Sequence, residues 1–172
     1  MKVPAIIVAS VFVIAAADAS AQSVTDAQIA AIVVTANQVD IDAGKLAVSK
    51  TNTAEVKKFG QQMIADHTAV NKQATALVTK LKVTPEDNPT SQNLKAGGDK
   101  NIANLKDLKG AAFDKAYIDN EVAYHQAVID AIDKTLIPSA HNAELKALLV
   151  KVRPAFVAHM EHAKMIQSSL AK

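Results

Sequence analysis

Six side chains in this 172-residue sequence have the types and positions that transition-metal binding requires. They are His67, His125, His159, Asp40, Asp66 and Glu121. Neutral imidazoles and carboxylates are the ligands from which proteins build sites for divalent transition metals. Each of the six lies in or beside an apolar stretch, where burial without a partner costs roughly a few kcal/mol. The pattern therefore predicts that these groups find partners in a metal ion, in water or in one another.

The clearest of these stretches is residues 59–77. Phe59, Met63 and Val70 recur there at helical spacings, and Asp66 and His67 interrupt this apolar face near its centre. The spacing predicts that a carboxylate and an imidazole both point towards the core. Partners for them must then come from other helices, from water or from a metal ion.

The other candidates fall at similar places in their own stretches. His125 lies within an apolar stripe one helical turn after Glu121, His159 lies in the middle of the last stripe, and Asp40 borders the first stripe. Antiparallel packing brings the midpoints of helices together, so one shared cluster is expected. At a rise of about 1.5 Å per residue, however, His125 and His159 differ in height by about 9 Å. A single three-histidine site therefore remains one alternative among several.

The elements that position these residues are expected to be helices. Periodicity and capping residues predict four long helices, near residues 26–50, 53–82, 112–136 and 142–170. The first two are joined by only a few residues and should form an antiparallel hairpin. Residues 83–111 are expected to be a crossover along the bundle, with a less regular helix between 90 and 108 interrupted by Gly97-Gly98. Pro154 is expected to bend the last helix.

Residues 1–21 have the features of a cleaved signal peptide. Lys2 precedes an apolar run, which ends in the small-residue pattern Ala19-Ser20-Ala21. Asp18 interrupts the run before it reaches the length of a membrane span, and no basic segment follows. We therefore predict export to the periplasm or the outer membrane, no transmembrane span after cleavage, and a single domain over residues 22–172.

Composition narrows the function. Cysteine is absent, which leaves histidine, carboxylate and methionine as possible metal ligands. A net charge of +2 and an aromatic content of 3% give no basis for a nucleic-acid partner. Neither a Gly-x-Ser-x-Gly motif nor a Gly-rich phosphate loop is present, so the sequence predicts no catalytic residue and favours a non-enzymatic role.

Four segments together carry a resemblance to a known family. They are IDAGKLA at residues 41–47, KFGQQMIADHTAVN at 58–71, AAFDKAYIDNEVAYHQAVI at 111–129 and RPAFVAHMEHAKM at 153–165. In this order they resemble a bacterial family known only as domain-of-unknown-function family 4142, which is placed with the ferritin-like superfamily. The motif positions that the resemblance carries over are Asp66, His67, His125 and His159.

The resemblance implies an all-α fold, namely a ferritin-like antiparallel four-helix bundle with a helical crossover between the second and third long helices. It also implies export, without an established reaction, and similarity to families labelled as outer-membrane or periplasmic proteins. Ferritin-like di-iron enzymes place Glu-x-x-His pairs on two helices. This chain has no such pair, and its nearest features are Asp66-His67 and Glu121-x-x-x-His125. Oxygen-activating di-iron chemistry therefore does not follow from the fold.

Two interpretations remain open at this point. In the first, the protein holds a zinc, copper, iron or manganese ion through His67, His125 and His159, and the carboxylates of Asp40, Asp66 or Glu121 complete the site or orient the imidazoles. In the alternative, it is a non-enzymatic structural or stress-related envelope protein. The same side chains would then form a hydrogen-bond network that fixes the register of the helices, and an unknown protein partner would bind the surface.

Overall fold

The computed structural model describes residues 24–171, which fold into helices without any strand. The helices are α1 (Asp26–Lys50), α2 (Ala54–Leu81), α3 (Pro89–Asp107), α4 (Gly110–Ala131), α5 (Ile137–Ser139) and α6 (Ala143–Leu170), and a π-helical turn (Ile132–Leu136) joins α4 to α5. The expected all-α bundle is confirmed. Within this part of the chain, no helix has the length and apolarity that crossing a bilayer requires. The predicted signal peptide lies outside the described residues.

The first and the last long helix begin where their capping residues predict. The Thr25 side chain accepts the backbone N–H of Gln28 at 3.2 Å at the start of α1. Asn142 does the same for α6, since its Oδ1 accepts the backbone N–H of Leu145 at 3.1 Å. Both bonds satisfy donors that the first turn of a helix leaves without an intrahelical partner.

The hairpin of α1 and α2 depends on two glycines at the helix crossing. A Cβ atom added to Gly44 would lie 2.9 Å from the Gly60 carbonyl oxygen, and one added to Gly60 would lie 3.0 Å from the Gly44 carbonyl oxygen. Gly44 costs about 1 kcal/mol of helix propensity relative to alanine. The structure shows why that cost is tolerated, since any side chain here would separate the two backbones.

Contacts at both ends of α3 show that it runs along the bundle in the direction of α1. Near the beginning of α3, Asn88 Nδ2 donates to the Gln28 carbonyl at 3.2 Å. Near its end, the Leu105 carbonyl accepts from Lys50 Nζ at 3.1 Å. The crossover therefore carries the chain from one end of the bundle to the other, as predicted.

The predicted interruption at Gly97-Gly98 is wrong, because α3 is one continuous helix of 19 residues. Gly98 faces α1, and a Cβ atom added to it would fall 2.7 Å from Val39 Cγ1. The glycine serves the close approach of two helices and does not break α3. A Pro89 at the first helical position and the Asn88 cap set the start of the helix.

The core consists of two apolar clusters at opposite ends of the bundle. The first includes Ile29, Ile32, Val33, Val70, Ile129, Leu149, Val152 and Phe156. The second includes Ala43, Ala47, Val56, Phe59, Met63, Phe113, Ile118 and Ile166. The first cluster uses the N-terminal halves of α1 and α6 and the C-terminal halves of α2 and α4, and the second uses the opposite halves. The middle turns of these four helices therefore lie between the clusters.

Candidate metal centre

Six polar side chains form a buried layer between the two apolar clusters. They are Asn37 and Asp40 from α1, His67 from α2, Glu121 and His125 from α4, and His159 from α6. None of the six is more than 3% exposed. The layer gathers five of the six side chains that the sequence singled out and adds Asn37.

The three histidines surround a common point. Their ring centroids lie 5.7 Å apart for His67 and His125, 5.2 Å for His67 and His159, and 5.4 Å for His125 and His159. One ring nitrogen from each histidine lies within 4.8 Å of one from each of the others. Phe156 covers this group on the side of the first apolar cluster, with its ring centroid 5.1 Å from that of His67.

The expected height difference of about 9 Å between His125 and His159 is wrong. That count took Pro138 as the turn between the two helices. The helical segment instead continues to Ser139, and α6 begins only at Ala143. His125 therefore lies 14 residues before the end of one segment and His159 lies 16 residues after the start of the other, a difference of about 3 Å in height.

Hydrogen bonds fix the orientation of the first two imidazoles. Asn37 Nδ2 donates to the Val33 carbonyl at 2.8 Å, which leaves Asn37 Oδ1 as the acceptor for His67 Nδ1 at 2.7 Å. His125 Nδ1 lies 3.0 Å from the Glu121 carbonyl oxygen, which can only accept. Both Nδ1 atoms therefore carry the proton in the neutral rings. The lone pairs are then on the Nε2 atoms of His67 and His125.

The third imidazole, that of His159, carries its proton on the other ring nitrogen. His159 Nε2 donates to Asp66 Oδ2 at 2.9 Å, so the neutral ring has its lone pair on Nδ1. His67 Nε2, His125 Nε2 and His159 Nδ1 are all buried, and none of them has a hydrogen-bond partner among residues 24–171. Each histidine thus uses one nitrogen on a surrounding acceptor and leaves the other bare, which is the arrangement that metal-ligating histidines adopt.

Asp40 lies closest to these bare nitrogens. Its Oδ2 atom is 2.8 Å from His67 Nε2 and 3.4 Å from His125 Nε2. By distance alone the first contact is a hydrogen bond, but neither atom meets the alignment that an N–H donor requires. Hydrogen bonds weaken steeply at unfavourable angles, so the short distance does not make this contact a hydrogen bond. The carboxylate therefore stands beside the imidazole lone pairs as a further potential ligand.

Two carboxyl groups in the layer differ in charge. Burial raises the pKa of Asp40, but the neighbouring His67 and His125 outweigh it and hold that pKa below its ordinary value. Burial raises the pKa of Glu121 well above its usual range, and the charge on Asp40 adds to the effect. The layer therefore favours the ionised form of Asp40 and the protonated form of Glu121.

Burial favours the neutral form of two of the three histidines, His125 and His159. It lowers the pKa of His125 to about 4, against a smaller opposing effect of Asp40. Burial also lowers the pKa of His159, although its hydrogen bond to Asp66 works in the other direction. Neutral imidazole is the form that coordinates a metal. His125 and His159 are thus held in the form that binds a metal.

Asp66 departs from its predicted position. The prediction that it is largely buried is wrong, because its side chain is 47% exposed. Consecutive residues of a helix point about 100° apart, so His67 and Asp66 cannot both face the centre. Asp66 nevertheless finds a partner among the predicted residues, since it reaches His159 from the surface and accepts its hydrogen bond. The carboxylate that orients His159 is thus accessible to solvent.

Sequence reasoning missed Asn37 and the two tyrosines around the layer. Asn37 is 1% exposed, and its only signal was an amide within the apolar stripe of α1. Burial, followed by the charges of Glu121 and Asp40, raises the pKa of Tyr117 well above its usual value. Tyr124 donates its hydroxyl to the Ala36 carbonyl at 2.8 Å. Tyrosines at helical spacing carry no pattern that separates these roles from ordinary packing.

The donor set fits a transition-metal ion. Three bare imidazole nitrogens and one carboxylate are nitrogen and oxygen ligands of the kinds that zinc and copper accept. A hydrogen-bond network alone would use both nitrogens of each imidazole ring. Here, the hydrogen bonds of the three histidines lead outwards, to Asn37, the Glu121 carbonyl and Asp66. The arrangement can hold a cation at its centre.

Comparisons with known proteins agree with this fold. The family model described as "Domain of unknown function (DUF4142)" matches residues 12–166. A solved structure titled "CopM in the Cu(II)-bound form" superimposes with a TM-score of 0.67, at 16% sequence identity, over 86% of this chain and 98% of that chain. At that identity the likeness shows a shared fold. No curated protein matches the sequence.

Proposed function

The chain belongs to the DUF4142 family, and on that premise we propose that it is an exported protein that binds one transition-metal ion inside its bundle. His67 Nε2, His125 Nε2 and His159 Nδ1 would hold the ion, with Asp40 as the carboxylate ligand. The observation that carries the proposal is the set of three buried imidazole nitrogens without hydrogen-bond partners among the described residues. Such nitrogens cost free energy unless something binds them.

Copper is the first ion to test. The structural neighbour's title describes a Cu(II)-bound form, and imidazole with carboxylate is a donor set that Cu(II) accepts. A copper ion bound here would supply a centre able to change between Cu(II) and Cu(I). The part played by the chain itself is to orient the imidazoles and to surround them with apolar side chains.

Binding, and not turnover, is the function that this geometry supports. The layer is at most 3% exposed at every residue, so a substrate larger than an ion or a very small molecule has no direct access to the histidines. Export is supported by the signal-peptide features of residues 1–21. We therefore propose a metal-binding role in the periplasm or at the outer membrane.

Calorimetric titration of the metal-free protein tests the proposal. Cu(II), Zn(II), Mn(II) and Fe(II) are added separately to the wild type and to a His67→Ala, His159→Ala double variant. We expect the wild type to bind Cu(II) with a stoichiometry near one. The double variant should bind at least about 100-fold more weakly, since loss of an outer-shell partner alone costs 10–100-fold.

A second double variant, His141→Ala with His162→Ala, serves as the control because neither residue belongs to the buried layer. It should keep the wild-type affinity. The proposal fails if no ion binds the wild type more tightly than about 10 μM, which is about −7 kcal/mol, or if the His67, His159 variant binds equally well. The histidines would then be structural, and the interpretation as a register-fixing network would replace metal binding.

A further inference from the structure

An apolar cavity of about 100 Å³ lies directly beside the histidine layer. Its walls come from the first apolar cluster, and Phe156 and Asn37 belong both to those walls and to the surroundings of His67. Phe156 also lies near His125, with ring centroids 6.0 Å apart. Tyr124 also lines the cavity and lies 6.1 Å from His125 between ring centroids, so the cavity and the imidazoles share these three neighbours.

Apart from Thr90, which is exposed, the polar side chains in the walls are already hydrogen-bonded. Asn37 binds the Val33 carbonyl and His67, and the Tyr124 hydroxyl donates to the Ala36 carbonyl. A buried water needs two to four polar partners, whereas apolar cavities of this kind stay dry and accept molecules such as xenon or benzene. The cavity therefore favours a neutral apolar occupant over water.

The backbone around the cavity is specialised. Ile132 and Leu136, the first and last residues of the π-helical turn, both line the cavity. π-helical turns inside α-helices occur frequently at functional sites. The cavity opens towards solvent between α3 and α4, beside Thr90, Leu94 and Ala127. Thr90 and Ala127 are exposed there, so a small molecule has a short path from solvent.

We propose that this cavity is a binding site for a small, neutral, apolar molecule, a class that includes dioxygen, held next to the metal centre. The volume limits the ligand to a few heavy atoms or one aromatic ring. The proposal goes beyond metal binding and does not require the ion, because the walls are formed by the folded chain alone.

Xenon is the probe, and the metal-free wild type with labelled methyl groups is the sample. Methyl resonances of Val128, Ile132 and Leu149, which line the cavity, should shift saturably with xenon pressure. Ile118 and Ile166 in the second apolar cluster should not shift. Absence of a saturable shift, or equal shifts in both clusters, overturns the proposal, and this comparison needs no variant.

A matched pair of substitutions on α4 sharpens the test. Val128→Phe fills the cavity and should abolish the xenon shifts. Val122→Phe makes the same change in a residue that packs against the second cluster, so the shifts should persist. Xenon binding that survives Val128→Phe would place the ligand elsewhere and overturn the proposal. Because the ion is absent, a negative result here leaves the metal titration unaffected, and the reverse also holds.

Discussion

The proton on each imidazole decides which nitrogen can bind a metal, and the surrounding residues set that proton. Asn37 and the Glu121 carbonyl fix it on Nδ1 of His67 and His125. Asp66 fixes it on Nε2 of His159. The proposed centre therefore depends on neighbours as much as on ligands. Two predictions follow from single side chains.

Asp66→Ala should weaken Cu(II) binding by about 10–100-fold, the range measured for outer-shell partners of metal ligands. The change removes the acceptor of His159 Nε2, so the ring can adopt the other tautomer or rotate. Calorimetric titration measures the affinity. Asp66→Asn, which keeps an acceptor oxygen, should recover much of the loss. Asp42→Ala is the control, since Asp42 is an exposed aspartate paired with Lys45, and an equal loss in that variant would contradict the orienting role.

Glu121→Gln should stabilise the metal-free protein increasingly as the pH rises. Burial raises the pKa of Glu121 from an ordinary value of 4.5, so above about that pH the native state keeps a proton that the unfolded chain has lost. Wild-type stability from this group is complete below pH 4.5 and falls as the pH rises through the native pKa. Glutamine does not titrate and mimics the protonated acid.

Urea unfolding of both proteins at pH 5, 6, 7 and 8, in the presence of a chelator, measures this difference. The free energy of unfolding of Glu121→Gln minus that of the wild type should grow across the series. The exposed residue Glu55 provides the control substitution, Glu55→Gln, for which the difference should stay flat. Parallel curves for Glu121→Gln and the wild type would show that Glu121 is ionised in the native state.

At the scale of helices, glycines decide how closely neighbours pack. Gly44 and Gly60 bring α1 and α2 into backbone contact, and Gly98 brings α3 onto Val39 of α1. Gly97, by contrast, is exposed, and an added Cβ atom would meet nothing within 4 Å. Replacement of glycine by alanine should therefore change the stability of the protein in opposite directions at different positions.

Gly60→Ala should destabilise the protein by about 1–3 kcal/mol, because a Cβ atom 3.0 Å from the Gly44 carbonyl oxygen forces the helices apart. Gly97→Ala should stabilise it by about 0.5–1 kcal/mol through helix propensity. Chemical denaturation of each variant gives both values. If Gly60→Ala proved neutral, the α1–α2 crossing would be able to relax, and the close approach would not constrain the fold.

Much of this arrangement could be predicted from helical periodicity. The hairpin follows from the short link between α1 and α2, and the crossover follows from the length of residues 83–111. Pro138 indicated the end of a helix, but it lies in the first turn of α5, where proline is tolerated, and so the heights of His125 and His159 were misjudged. The exposure of Asp66 depends on the rotation of α2 against α6, which a boundary error of one residue changes by about 100°. The bend expected at Pro154 stays a prediction.

At the scale of the whole molecule, a bound ion would tie α2, α4 and α6 together through one histidine each. Anything that binds only the folded state stabilises it. With free Cu(II) at 100 times the dissociation constant, the gain is about 2.7 kcal/mol. For a domain of this size, such a gain raises the melting temperature by about 5–10 °C.

Thermal unfolding with and without Cu(II) measures that increase. The His67→Ala, His159→Ala variant should show no comparable change, whereas His141→Ala with His162→Ala should behave as the wild type. An equal increase in all three proteins would mean that copper binds the surface. Mutation of the layer would then leave the effect of the ion unchanged.

The polar layer divides the core into two apolar clusters, and this division affects how the bundle opens. The two clusters contain residues from opposite halves of the same four helices. The layer between them buries little apolar surface. Native proteins open in cooperative units that follow such boundaries, and amide hydrogen exchange reports the free energy of each unit. We expect the two ends of the metal-free protein to form separate exchange units. An ion bound in the layer would join them into one, so metal binding would determine how large a segment unfolds together.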